Sequence, residues 1–243
     1  MNDPLNIGPV SFDAGPVRAA FSSSARDFTS VVSQISERGV DWNTQLPSGW
    51  TLRTVVGHTS RALRTPGRYL ETGAGRDIDT VHPFDYFRGM TSDYSKVEAI
   101  VRRAEQSGAD LGNDLAASVS DLASSAIASV GAAADDAPVA TPSGVMSLLS
   151  YLPSRIFVLT TDTADLASTF GLDHEACEAC ANLALMMSVG IAVEAADAVD
   201  ALTVLVSSTP RVLLPVEPRS EPASRGGFSR LRRKQPDSAA PSS

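Results

Sequence analysis

Apolar positions recur three and four residues apart along most of the chain, a spacing that predicts helices rather than strands. Val17, Ala20, Phe21, Phe28, Val31, Val32 and Ile35 mark a first helix from Val17 to Arg38, with Gly39 as its C-terminal stop. After a turn-rich connector, Asp41 to Gly49, the residues Leu52, Val55, Val56, Thr59 and Leu63 give a second helix from Thr51 to near Arg64. Pro66 and Gly67 are expected to end or kink it. Gly73 to Pro83 reads as a loop. Phe84 to Gly108 begins with aromatics (Phe84, Tyr86, Phe87) that close the bundle end, then continues as a third helix through Tyr94, Val97, Ile100, Val101 and Ala104. Asp110 to Ala134 predicts a fourth, with Leu111, Leu115, Val119, Leu122, Ala126, Ile127 and Val130 inward. Asp135 to Ser143, with Pro138 and Pro142, reads as a loop. Val145 to Phe170 is a long apolar pattern stopped by Gly171, in which Pro153 either makes a kink or opens a new helix. A last helical region runs from His174 to Ser207, with Gly190 at a bend.

The periodicity stops at Pro210, where Pro, Ser, Gly and Arg take over; such a segment cannot bury enough apolar surface to fold alone. The expected fold is therefore all-α: an up-and-down bundle of four main helices with an added C-terminal helical region and a disordered tail. Its divisions are a flexible N-terminus (1–16), the bundle (17–172), the C-terminal helical region packed on it (173–209) and the tail (210–243). Composition supports helices, since Ala, Ser, Leu, Val and Asp are abundant and aromatics make up only 6%. The net charge of −8, with a basic run from Arg230 to Lys234 in the tail, leaves the body acidic. Neither nucleic acid nor membrane is expected as a partner. No apolar run approaches the length of a membrane span, and the polar N-terminus does not read as a secretory signal, so a cytoplasmic location is expected.

Two stretches carry a resemblance. Trp50-Thr51-Leu52-Arg53-Thr54-Val55-Val56-Gly57-His58 is similar to a W-T-V-R-D-L-V-x-H signature. Ser150-Tyr151-Leu152-Pro153-Ser154-Arg155-Ile156-Phe157-Val158-Leu159-Thr160-Thr161-Asp162-Thr163-Ala164-Asp165-Leu166-Ala167 resembles D-Y-L-x-x-R-x-x-E-L-x-x-H-x-x-D-L-A. Both patterns, in this order, resemble the mycothiol-dependent maleylpyruvate isomerase family, over Val17 to Thr209. The resemblance implies a DinB-like four-helix bundle in which two histidines and a glutamate hold a divalent metal, usually zinc, that activates the thiol of mycothiol. His58 matches the first ligand. Val158 stands at the glutamate position and Asp162 at the second histidine position. Positions 158, 162 and 165 share one helix face. The implied metal ligands are thus His58 and Asp162, with His82 or Asp85 as replacements if the site has been rebuilt; Asp165 has a structural role.

Two functional readings are open. One is an enzyme, a divergent metal- and mycothiol-dependent isomerase or transferase acting on a small electrophilic substrate. The other is a non-catalytic relative that has lost the metal site, binds no cofactor and serves as a binding or interaction module. Arg53 and Arg155 either pair with carboxylates inside the bundle or lie on its rim. Cys177 and Cys180 are too few for a disulfide framework and, without the second half of a zinc pattern, read as buried small residues.

Overall fold

The computed structural model describes residues 12–79, 83–88 and 94–195. The tail, its basic run, His82 and the end of the last helical region lie outside the described residues. The chain forms α1 (Ala14–Glu37), α2 (Leu52–Gly73), α3 (Asp85–Arg88), α4 (Tyr94–Asp110), α5 (Leu115–Ala132), β1 (Pro138–Thr141), β2 (Gly144–Ser147), α6 (Leu148–Thr169) and α7 (Glu178–Ala195). It is mostly helical, as the DinB-like bundle requires.

Four helices close a ring in which α1 packs on α5, α5 on α2, α2 on α6 and α6 on α1. Inside it lie Phe21, Phe28 and Ile35 of α1, Leu52 and Leu63 of α2, Leu115 and Val119 of α5, and Leu148, Leu152, Ile156 and Leu159 of α6. α4 lies outside this ring, against α2, and α7 covers α6 and α1. The buried stripe of α1, Val17 through Ile35, is the one the sequence periodicity marks.

Side chains satisfy the helix ends. Thr51, Asp114 and Ser147 each accept from the backbone N–H three residues on, at Thr54, Ala117 and Ser150. Three arginines reach across to carbonyl ends. Arg18 donates to the Val130 and Ala133 carbonyls and pairs with Asp135 beyond α5. Arg53 donates to the Gly108 carbonyl in the last turn of α4 and to that of Gly112 just beyond it, and Arg38 to Phe170 after α6. Arg53 is thus a cap on α4 rather than a partner of a carboxylate.

Three sequence expectations need correction. Pro66 does not end α2, which continues to Gly73. Proline removes one backbone donor, and here both Thr65 and Pro66 are buried in tertiary packing that outweighs that loss. The expected loop 135–143 instead holds β1, paired antiparallel with β2, so α6 starts only at Leu148, with Pro153 inside it and no new helix there. α5 is 18 residues long and apolar enough, by length and composition alone, to cross a membrane, contrary to the expectation that no run approaches that length; here it is a ring helix. The hairpin also ties down its neighbours. Val145 exchanges hydrogen bonds with Asp79, and Ser143 donates to the Tyr86 carbonyl of α3.

Candidate functional site

α2 brings His58 to the bundle through a backbone crossing. A Cβ on Gly57 would sit 2.2 Å from the Gly108 nitrogen, and one on Gly108 would sit 2.6 Å from the Arg53 carbonyl oxygen. Only two glycines allow α2 and α4 to approach so closely. His58 follows Gly57 directly. It lies edge-on to Trp50, with ring centroids 5.5 Å apart. The ring is half-buried and its Nδ1 is enclosed with no hydrogen-bond partner. Burial, followed by the charges of Arg61, Arg155 and Arg103, lowers its pKa to about 4, so the imidazole is neutral at pH 7.

Asp162 of α6 lies across from the next residue of α2. Its carboxylate is 2.7 Å from Thr59 Oγ1, which is also 3.0 Å from the Val55 carbonyl oxygen. Thr59 donates to the Asp162 carboxylate, and this hydrogen bond favours the ionised form. Burial raises the Asp162 pKa to about 7, with the Thr59 hydrogen bond opposing and the Asp165 charge assisting. Asp165 itself is exposed and Val158 half-buried.

One turn earlier on α6, Arg155 is buried, 4% exposed, without a carboxylate partner among the described residues. Its Nε donates to Ser154 Oγ at 3.1 Å, and its Nη2 has no partner. The guanidinium carbon lies 4.3 Å from the Tyr86 ring centroid and 5.0 Å from that of Tyr151. Burial works against its charge, and the tyrosines Tyr151, Tyr86 and Tyr69 outweigh that effect. Tyr151 donates to Thr65 Oγ1 at 2.8 Å, which fixes its ring. The aromatics of α3 therefore do more than close the bundle end, because Tyr86 forms one wall of this cage. Pairing Tyr86 with Arg155 spans 69 residues of sequence, so no local spacing signals it; only Tyr151 and Arg155, four apart, hint at a shared face.

The zinc that the resemblance implies can be tested against these donors. His58 offers a neutral ring. Val158 has no lone pair to give, and the Asp162 carboxyl, its pKa raised to about 7 by burial, already accepts a hydrogen bond from Thr59. The charges acting on the imidazole are three guanidiniums, which repel a divalent cation. Among the described residues, no three His, Cys, Asp or Glu side chains are grouped to hold a metal. The donor set does not fit a three-ligand zinc centre.

Cys177 and Cys180 also differ from the sequence expectation. Cys180 is buried as expected, but Cys177 is half-buried and the two are joined by a disulfide.

No curated protein and no solved structure matches the chain. A family model described as the mycothiol maleylpyruvate isomerase N-terminal domain matches residues 21–167, more than half of the chain and the span containing both His58 and Asp162. The chain therefore belongs to the mycothiol maleylpyruvate isomerase N-terminal domain family.

Proposed function

We propose that this DinB-like bundle is a binding member of its mycothiol-associated family, which takes a small carboxylate-bearing ligand at Arg155 without a catalytic metal. The observation that carries this reading is a buried guanidinium whose Nη2 has no partner. An unpaired buried charge is costly, and a planar carboxylate matches the donor fork of arginine. Arg61 and Arg103 add positive potential, while His58 is neutral at pH 7 and burial works against the charge of Asp162. The family's name includes a substrate of this chemical class, maleylpyruvate.

Thermal denaturation of the full chain with maleate, fumarate or pyruvate tests the proposal. Saturating carboxylate at 100 times its Kd stabilises by about 2.7 kcal/mol. Arg155→Met should abolish this effect while leaving the ligand-free protein at least nearly as stable, since removing a buried unpaired charge offsets the lost ring contacts. Carboxylates that leave the native chain unmoved would overturn the reading. A second reading is a mycothiol-dependent isomerase or transferase with a divalent metal on His58 and Asp162; the enclosed, unpartnered His58 Nδ1 favours it. Stoichiometric zinc that is lost in both His58→Ala and Asp162→Ala would establish this second reading in place of the first.

A further inference from the structure

Cys177 and Cys180 take no part in the Arg155 site, yet their arrangement is asymmetric in a way that packing does not require. Cys177 sits immediately before α7, which begins at Glu178. Its Sγ accepts the Cys180 backbone N–H at 3.2 Å, and its carbonyl accepts from Ala181 at 2.9 Å, so it caps the helix. Cys180, one turn inside, is 0% exposed, with its sulfur 3.4 Å from the Ala20 carbonyl oxygen of α1. The Cα atoms are 5.2 Å apart, within the range for a bonded pair. Cys177, only partly buried, thus holds its sulfur in the capping position of a helix N-terminus, where backbone N–H groups favour a thiolate. The other sulfur is enclosed behind it and already within bonding reach.

We propose that Cys177 and Cys180 are a redox-active couple that exchanges with disulfides of low-molecular-weight thiols, with Cys177 as the attacking sulfur and Cys180 as the resolving one. In the reduced chain, the Cys177 thiolate attacks one sulfur of a small disulfide. A Cys177–thiol mixed disulfide forms, the small molecule's S–S bond breaks, and the first thiolate leaves and takes up a proton. The Cys180 sulfur, after losing its proton, attacks Cys177 Sγ and expels the second thiolate. Two electrons pass from the protein dithiol to the small disulfide, yielding two small thiols and the Cys177–Cys180 bond. Glu175 and Glu178, both exposed and flanking Cys177, select against anionic partners, so an uncharged disulfide is the expected substrate.

The experiment uses the reduced full chain with 2-hydroxyethyl disulfide, followed by acid quench and intact-mass analysis. The native chain should lose two hydrogens and carry no lasting adduct. Cys180→Ser should stop at one mercaptoethanol adduct on Cys177, and Cys177→Ser should react at least about tenfold more slowly because the remaining thiol is enclosed. Circular dichroism establishes that each variant is folded. The proposal is overturned if folded Cys180→Ser gains no adduct, or if Cys177→Ser reacts as fast as Cys180→Ser. It is also overturned if the reduced native chain remains a dithiol in excess disulfide, or if it holds one equivalent of zinc through both thiols.

Discussion

Asp162 and His58 titrate in opposite directions, and the difference is measurable. Asp162 has an ordinary pKa of 3.8, raised to about 7 by burial. Folding therefore favours its protonated form. Its contribution to stability is fully present below pH 3.8 and is lost as the pH rises through 7. His58 falls from 6.5 to about 4, so its contribution is full above pH 6.5 and is lost as the pH falls towards 4. In Asp162→Asn, the amide still meets Thr59 but carries no charge. This variant should be more stable than the native chain at pH 8, by something on the order of a few kcal/mol, and nearly equal at pH 4. Urea denaturation at the two values checks this, and parallel profiles would rule out a protonated Asp162. His58→Gln should instead remove destabilisation on the acid side alone. Arg155 needs no such titration, because a guanidinium keeps its charge at every accessible pH. Its predicted signature is the split between unchanged stability and lost carboxylate response.

At the scale of elements, the α2–α4 crossing is the feature on which His58 depends. Gly57→Ala places a methyl carbon against the backbone of Gly108, which cannot swing aside as a side chain would. The helices must separate, at an expected cost of about 1–3 kcal/mol or more. A lowered urea midpoint together with changed fluorescence from Trp50, which touches His58, would identify this cause; a substitution without effect would show that the crossing is loose. The glycine could be read in the sequence only as part of a motif, since its partner Gly108 is 51 positions away. Elements with one continuous apolar stripe, α1 and α5 above all, are legible because the 3-and-4 spacing states which face is buried. The path of α2 through Pro66 is not, because tertiary packing decides whether a proline stops a helix. Nor is the β1–β2 hairpin, which is four residues a side and has proline at one strand end. The candidate site divides in the same way. Motif spacing marks His58 and Asp162, whereas the Tyr86–Arg155 contact depends on α3, placed by the hairpin turn through Ser143.

At the scale of the whole molecule, the ring of α1, α5, α2 and α6 separates fold from chemistry. The ring is held by apolar stripes and by arginines that cap distant helix ends, and none of these requires an ion between α2 and α6. Replacing glutamate and histidine with Val158 and Asp162 can thus remove metal ligands without removing the bundle. The converse is a stringent test of that separation. Positions 158 and 162 are one turn apart on α6, and Asp162 already reaches the residue next to His58. The double substitution Val158→Glu with Asp162→His gives the site one carboxylate and two imidazoles, a ligand set that catalytic zinc accepts. It also removes the buried carboxyl of raised pKa and offsets one guanidinium. The folded double variant is expected to bind one zinc per chain, and the metal should raise its thermal midpoint while leaving that of the native chain unmoved. Removing His58 from that variant should abolish the gain. A folded double variant that ignores zinc would mean that α2 and α6 do not present these positions to one another, and that the family frame in this chain has shifted in register as well as in chemistry.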